Sequence, residues 1–276
     1  MKREFAVTGA LRVEATLRAS DLVVSAGEPG SATVLLESSR DAAERGAFAA
    51  NTVVELVGDV LHIQAQLPRF FARERTRVLV TLPPGSGLSV RTGSGDVLST
   101  APLSTVVVRA GSGDVQLASS DDVDVTTGSG DVRVSELATG RVQTGSGNVW
   151  VGAVHRSLTT RTGSGDVIVA SPRRLESTSG SGDITIEELR GEAQVRTASG
   201  DAVVRRAVTG RLDAKSTSGD VHVSVPHGTA VLLDCSTVSG RMRSELSEAG
   251  EPAPGDPTLE LCARTVSGHL LVQRAG

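Results

Sequence analysis

The sequence predicts an all-β chain that winds into a single-stranded parallel β-solenoid of about 17–18 residues per coil. Three observations lead to this prediction: the pair Ser-Gly recurs at regular intervals, the residues between these pairs alternate between apolar and polar, and aromatic residues make up only 2% of the chain. A period this short indicates a solenoid, because each unit is too small to bury a core alone. Right-handed winding is expected, since it is the default for parallel crossovers.

The repeated word is GSGDV, and the residue after its second glycine marks each coil. The markers lie 17 to 19 residues apart as far as Asp220, and two later ones follow at Arg241 and His269. In a unit such as Gly128–Thr144, period-two alternation on both sides of a turn predicts two short strands. The regular markers are Asp96, Asp114, Asp131, Asn148, Asp166, Asp183, Asp201 and Asp220.

One face of these strands carries small aliphatic and hydroxyl side chains, which we expect to form the core. A coil this short has room for such side chains rather than for aromatic rings. At the corner, glycine is expected to supply positive φ, while Ser and Asp bond to their own backbone. The expected inward residues are Val106, Val108, Ala110, Val123, Val125, Thr127, Leu158, Thr160, Thr162, Leu175, Ser177, Ser179, Ala193, Val195, Thr197, Leu212, Ala214 and Ser216.

Residues 1–90 lack the full word but keep the alternation, and we predict an atypical cap that is continuous with the regular solenoid of residues 91–276. A cap is expected because a solenoid end must cover its core and its strand edges. Ala19–Leu22 and Val57–Val60 resemble degenerate corners, and the Ala and Glu content of Ser39–Ala50 favours one or two helical turns.

The stretch Leu67–Arg75 places two phenylalanines among three arginines in a predicted loop. Such a loop suits contact with a partner, an acidic lipid surface or nucleic acid. The alternative is that both rings plug the open end of the solenoid while the arginines stay in water. The candidate contact residues are Arg69, Phe70, Phe71, Arg73 and Arg75.

Trp150, the single tryptophan, lies between two valines that are expected to point inward, so its indole should face outward. It is a further candidate contact residue, unless it lies over Arg133 on the neighbouring coil.

Later in the chain, the acidic, Pro-rich stretch at residues 245–257 is predicted to be a surface loop that interrupts the repeat. The residues from Leu259 onward are predicted to form a final coil.

Charge and hydropathy point away from several classes of protein. A net charge of −4 shows no basic bias toward nucleic acid or membranes. No stretch approaches the roughly 20 apolar residues of a transmembrane helix, and the N-terminus lacks a signal peptide's apolar run, so we expect a cytoplasmic protein. Cys235 and Cys262 are expected to face opposite ways and therefore not to form a disulfide.

The repeated Thr-Gly-Ser-Gly-Asp-Val words, the strand-rich opening region, the Leu-Pro-Pro-Gly before the first repeat and the Pro-rich loop before Ala-Arg-Thr-Val-Ser-Gly together resemble one bacterial family. It is the β-strand-repeat family called "putative adhesins", domain of unknown function family 4097. The similarity runs from Ala6 to Gln273. This resemblance implies a β-solenoid fold and implies no enzymatic activity.

The aspartate markers are expected to stack along one corner, where charges about 4.8 Å apart repel by roughly 0.9 kcal/mol in water. Backbone N–H groups, a basic column five residues before the markers or a bound cation must offset this repulsion. Calcium is the functional alternative, because Gly-rich, Asp-bearing coils bind it in RTX β-rolls. Only one corner per coil carries the acid here, which favours turn capping. The calcium candidates are Asp96, Asp114, Asp131, Asp166, Asp183, Asp201 and Asp220, and the basic column is Arg91, Arg109, Arg161, Arg196, Lys215 and Arg264.

We predict no enzymatic activity and no cofactor, because the aspartates repeat identically instead of converging, and no histidine has a nucleophile motif beside it. The predicted function is a scaffold or protein-interaction module whose protein partner is unknown. One alternative is an adhesin-like module that binds carbohydrate or calcium. The other is a self-assembling filament resembling bactofilins, with coils stacked end to end through Leu270–Val272 and Phe5–Val7.

Overall fold

The computed structural model describes residues 1–38, 48–65, 76–246 and 255–275. These residues form strands throughout, apart from turns and one helical turn at residues 48–50. The chain divides into two compact units, Met1–Leu137 and Ala138–Gly276. No helix among the described residues is long and apolar enough to cross a bilayer.

Unit 1 combines antiparallel and parallel strands. Strand β4 pairs antiparallel with β1 and β7, and β5 forms an antiparallel hairpin with β6. In contrast, β2 lies parallel between β6 and β8, β3 lies parallel between β7 and β9, and β10 stacks parallel on β9. The strands are β1 (Lys2–Ala6), β2 (Arg12–Leu17), β3 (Asp21–Ala26), β4 (Ser31–Ser38), β5 (Thr52–Val57), β6 (Val60–Ala65), β7 (Thr76–Leu82), β8 (Gly87–Thr92), β9 (Val97–Ala110) and β10 (Val115–Thr127), while β11 (Val132–Thr144) crosses the division.

Of the two degenerate corners expected in this unit, the first is present and the second is not. Asp96 N–H donates to Asp21 Oδ1 at 3.2 Å, and Leu22 N–H donates to Asp96 O at 2.8 Å, as in a regular corner. Val57–Val60 is instead the turn of the β5–β6 hairpin, with Gly58 at a φ of 62°. Of the predicted helical segment, residues 39–47 lie outside the described residues, as does the whole of Leu67–Arg75.

Unit 2 is built from parallel strands in the register of the repeat. Two ladders start from the two halves of β12: one continues through β13, β15, β17 and β19, the other through β14, β16 and β18. Paired residues are 17 to 19 positions apart, as in Val149 with Val167 and Ala202 with Val221. The strands are β12 (Val149–Thr162), β13 (Val167–Pro172), β14 (Arg174–Ser179), β15 (Ile184–Ile186), β16 (Glu192–Thr197), β17 (Ala202–Val204), β18 (Gly210–Ser216), β19 (Val221–Val225), β20 (Ala230–Thr237), β21 (Met242–Ser244), β22 (Thr258–Thr265) and β23 (Leu270–Arg274).

The last two coils of unit 2 stack in inverted order. Strand β22 lies between β18 and β20, and β23 lies between β19 and β21. The coil that comes last in sequence is therefore inserted into the stack, and β20 and β21 form its open edge among the described strands. Leu270 and Val272 are only 1% and 2% exposed, so they do not form the bare end rung that the filament alternative would need.

The core is the predicted ladder of small side chains. Of the 18 residues expected to point inward, all are buried except Ala110, which is half-buried. Because the coils stack in register, similar side chains lie next to each other on neighbouring coils. The buried hydroxyls of Thr160 and Ser177, for example, form a hydrogen bond of 2.7 Å. Because β-branched and other small side chains fill this narrow space, the coils need no aromatic residues.

The two cysteines also lie as predicted. Cys235 pairs with Ala263 and Cys262 pairs with Asp234 on adjacent strands, and both thiols are free. Burial raises the pKa of Cys235. Loss of solvent also raises the pKa of Cys262, and the carboxylates of Asp213 and Asp234 add to this rise. Both groups are therefore protonated at neutral pH and are weak nucleophiles.

Candidate functional site

Nine of the ten repeated corners are closed from inside by a Thr or Ser hydroxyl, and the exception is the corner of Gly113, where Ala110 stands at that position. Gly165 N–H donates to Thr162 Oγ1 at 3.0 Å, and this bond satisfies a buried donor that takes part in no strand ladder. The sequence pattern behind it is a Thr or Ser three residues before the second glycine. The same bond joins Thr92 to Gly95, Thr127 to Gly130, Thr144 to Gly147, Ser179 to Gly182, Thr197 to Gly200, Ser216 to Gly219, Thr237 to Gly240 and Thr265 to Gly268.

The second glycine of the corner is required by the close approach of neighbouring coils. A Cβ placed on Gly165 would lie 1.9 Å from the carbonyl oxygen of Gly147, which belongs to the preceding coil. The expectation that these glycines supply positive φ is wrong. Among the described residues, positive φ occurs only at Gly30, Gly58, Gly85, Gly210, Gly228 and Gly255, none of which is the second glycine of a repeated corner.

The marker side chains form a column of hydrogen-bond acceptors. A marker carboxylate accepts the backbone N–H of the marker in the next coil, as where Asp183 N–H donates to Asp166 Oδ1 at 2.9 Å. In unit 1 the chain of acceptors runs from Asp21 through Asp96 to Asp114, which accepts from Asp131. In unit 2 the acceptors are, in order, Asn148, Asp166, Asp183, Asp201, Asp220 and His269, and the last donor is Arg241.

This column explains why the marker is not always an acid. Asn148 accepts through Oδ1, and His269 accepts through Nδ1 in the tautomer that carries its proton on Nε2. Arg241 lies on the coil of the open edge, so no further described marker needs an acceptor from it. The position therefore requires a hydrogen-bond acceptor and does not require a negative charge.

The basic column does not neutralise the corner. Arg109 pairs with Asp124, Lys215 with Asp213 and Arg264 with Asp234, which are outward carboxylates of the strands. Within the described residues, none of its six cations lies within 4 Å of a marker carboxylate, so the backbone N–H donors offset the repulsion instead. Nor do the described residues bring three His, Cys, Asp or Glu side chains together as metal ligands.

A second feature lies at the opposite turns of unit 2, where three successive coils enclose an open groove of about 910 Å³. The groove is positioned by the middle of β12, by the β13–β14 junction and by the turn before β16. Its lining brings together Arg156, Arg173, Arg174 and Arg190 with Glu188 and Glu192. Four arginines against two glutamates leave a formal charge of +2 on the groove, whereas the whole chain carries −4.

The arginines of the groove differ in their partners. Arg174 Nη2 lies 2.7 Å from Glu192 Oε2, and Arg190 pairs with Glu188. The guanidiniums of Arg156 and Arg173 have no carboxylate within 4 Å in the described parts of the chain, and both side chains are exposed. Two cations are thus directed into solvent without a counter-charge among the described residues. An arrangement of this kind attracts anions.

A family model described as Toastrack DUF4097 matches residues 20–253. The chain belongs to the Toastrack family. This finding confirms the resemblance expected from the repeated words, and the all-β, solenoid-like fold of the described residues agrees with it.

Two solved bacterial structures are among those similar to this Toastrack chain. One is a "putative adhesin" from Bacteroides fragilis, with a TM-score of 0.41 and 13% identity, covering 99% of this chain and 96% of that chain. The other is a "putative lipid binding protein" from Parabacteroides distasonis, with a TM-score of 0.47 and 16% identity, covering 100% of this chain and 96% of that chain. A search of curated proteins finds no match.

Of the residues proposed from the sequence as contacts, Trp150 is described and does not line the Toastrack groove. Trp150 is half-buried between the buried Val149 and Val151, so it faces outward as expected, and it is in register with Ile168. The five candidates within Leu67–Arg75 lie outside the described residues. The groove itself was missed, although arginines recur at the second turn of three successive coils at 156, 173 and 190, which is the period of the repeat.

The acceptor role of the markers makes a prediction for this Toastrack chain. Asp183→Asn keeps an oxygen for Asp201 N–H, so stability should stay within about 0.5 kcal/mol of the parent chain. Asp183→Ala removes the acceptor from this exposed bond and should cost about 1 kcal/mol. The free energies of unfolding of both variants, measured in urea, check these two expected values. Equal losses for Asn and Ala would show that the charge of Asp183, and not its oxygen, holds the corner.

Proposed function

We propose that this Toastrack chain is a non-catalytic β-solenoid that serves as an interaction module, and that the groove of unit 2 is its binding surface. The observation that carries the proposal is the pair of exposed arginines, Arg156 and Arg173, without a carboxylate partner in the described residues. The corner offers less to a ligand, because its hydroxyls and marker oxygens already accept backbone N–H groups. A rigid parallel stack suits this role, since it holds successive side chains at a fixed spacing.

We further infer coils of about 17–18 residues that wind right-handed, with residues 1–90 as the N-terminal cap and the regular solenoid interrupted at 245–257. Support for the cap comes from the parallel stacking of β2 on β8 and of β3 on β9. A cytoplasmic location also remains a prediction. Cell fractionation that recovers the protein outside the cytoplasm would favour the adhesin-like alternative instead.

A comparison of three tagged proteins in pull-downs from the native organism tests the proposed binding surface. The parent chain should retain a partner that the groove variant Arg156→Gln with Arg173→Gln loses. The variant Phe70→Ser with Phe71→Ser should keep that partner. The opposite pattern, with loss only in the phenylalanine variant, would move the binding surface to Leu67–Arg75.

Self-association is a second candidate function, and the open edge of unit 2 favours it. Strand β20 pairs only with β22 among the described strands, and Leu232 and Val238 near it are 70% and 81% exposed. An exposed strand edge can pair with another chain. Light scattering after size exclusion decides this candidate: a monomer at high concentration would rule out a filament, and a mass that grows with concentration would support it.

A further inference from the structure

We propose that the groove of unit 2 binds an acidic polysaccharide, a linear chain of sugar rings that carry both carboxylate and hydroxyl groups. This inference rests on the proposed function, since it names the ligand of the same groove.

The free cations call for an anionic ligand with planar oxygen pairs. A guanidinium presents N–H donors in a fork that matches the two oxygens of a carboxylate, and no carboxylate of the described residues makes this contact with Arg156 or Arg173. The other two arginines are held by exposed ion pairs, Arg174 with Glu192 and Arg190 with Glu188. Exposed pairs are weak, so a ligand carboxylate can share these arginines.

The cations are spaced along the coil axis. Arg173 N–H donates to Val154 O at 3.1 Å, and Glu192 N–H donates to Arg173 O at 2.9 Å, so these segments occupy three neighbouring coils. Neighbouring parallel strands lie about 4.8 Å apart, which is close to the length of one sugar ring. A linear ligand with an acid on successive rings can therefore meet one arginine per coil.

The two glutamates argue for a ligand that also donates hydrogen bonds. Glu188 and Glu192 would repel a ligand that carried only negative charge, but their oxygens can accept from sugar hydroxyls. An acidic peptide offers only its backbone N–H groups as donors, whereas each sugar ring carries hydroxyls beside its carboxylate. A mixed lining of arginines and carboxylates thus fits an acidic sugar better than a simple polyanion.

The lining also argues against single-stranded nucleic acid. Proteins that bind such strands stack bases on aromatic side chains, and the residues that line this groove include no Phe, Tyr or Trp. Its volume of about 910 Å³ is in the range of ligand sites, and a few sugar rings could occupy it while the chain continues on either side.

Calorimetric titration with galacturonate oligomers of defined length is the test, with matched ligands as controls. We expect binding at low salt that weakens as salt rises, because the contact is ionic. Methyl esters of the same oligomers keep the hydroxyls but remove the charge, and polyglutamate keeps the charge but removes the hydroxyls. Both should bind at least about tenfold more weakly than the acidic oligomer.

Two protein variants of equal charge complete the test. Arg156→Gln with Arg173→Gln should weaken oligomer binding by about tenfold or more. Arg205→Gln with Arg211→Gln removes two exposed arginines that pair with Glu187 and Glu260 and do not line the groove, so binding should change by less than about twofold. Melting curves of both variants ensure that a loss of binding is not a loss of folding.

Each outcome bears on the inference. Equal losses in the two variants, or equal affinity for polyglutamate or for a single-stranded oligonucleotide, would overturn the polysaccharide as ligand. If no galacturonate oligomer binds but the groove variant still loses its partner in the pull-down, the inference fails while the proposed function stands. If the groove variant behaves as the parent chain in both experiments, both fail.

Discussion

Gly165→Ala is expected to destabilise the chain by about 3 kcal/mol. The added Cβ would lie 1.9 Å from the carbonyl oxygen of Gly147, and the obstacle is backbone that stacked coils hold on both sides. Relief would require separating two coils, which would lengthen the ladder hydrogen bonds on either side of the corner. Urea unfolding of the variant measures this loss as a lower midpoint.

Gly9→Ala is the matched control, because no atom lies within 4 Å of a Cβ built there and its φ is not positive. Its stability should stay within about 0.5 kcal/mol of the parent chain. If both alanines cost the same, the loss at residue 165 would not come from the packing of coils.

Thr162→Val is the second large effect, at about 2 kcal/mol. Valine has nearly the shape of threonine and would still fill the space, but it cannot accept the hydrogen bond from Gly165 N–H. That donor is buried beneath the corner, so water does not readily replace the lost acceptor. A lower urea midpoint and faster hydrogen exchange at residue 165 are the expected observations.

Thr162→Ser keeps the hydroxyl and removes the methyl group, so it separates the contributions of these two groups to stability. Ser already fills this position at Ser179 and Ser216 with the same bond, so the variant should lose less than half of what the valine variant loses. A serine variant as unstable as the valine variant would show that the methyl packing, and not the hydrogen bond, is what the corner needs.

The alternation of apolar and polar residues and the period of the repeat were sufficient to predict the core and the register of this fold. Val125 and Leu212 are buried because side chains on a strand alternate between faces, and Cys235 is level with Ala263 because the shared Thr-Val-Ser-Gly words align their coils. The corner at Asp21 could be found because Ala19–Leu22 resembles the repeated corner word. These features depend on short-range pattern, which a sequence displays directly.

Contacts between coils were harder to predict. The corner glycines suggested a positive φ, which is a property of the local backbone. Glycine is needed at 165 for a different reason, because a Cβ there would collide with a carbonyl oxygen of another coil. The inverted stacking of β20 and β22 was also hidden, because a 28-residue step from Arg241 to His269 fits both stacking orders. The groove needs three coils side by side, so its arginines looked like ordinary surface charges in a linear sequence.

The acceptor column changes the meaning of the repeated aspartate. A stack of seven acids suggested a cation site, but each side chain that follows the same rule, including Asn148 and His269, provides an oxygen or nitrogen to the next backbone N–H. The hydrogen bonds thus give the repeated aspartates a structural role, and the proposed binding surface is one that the repeat holds in place. The groove at the opposite turns is such a surface.

The structural role of the marker aspartates is tested most directly by melting temperatures in calcium and in chelator. The two proteins to compare are the parent chain and a triple variant that combines Asp166→Asn, Asp183→Asn and Asp201→Asn. A ligand that binds the folded chain raises its stability in proportion to the logarithm of ligand concentration. We predict that millimolar calcium moves neither melting curve and that the triple variant melts close to the parent chain. A rise of several degrees in the parent chain that the triple variant lacks would contradict the account and make the corner a cation site.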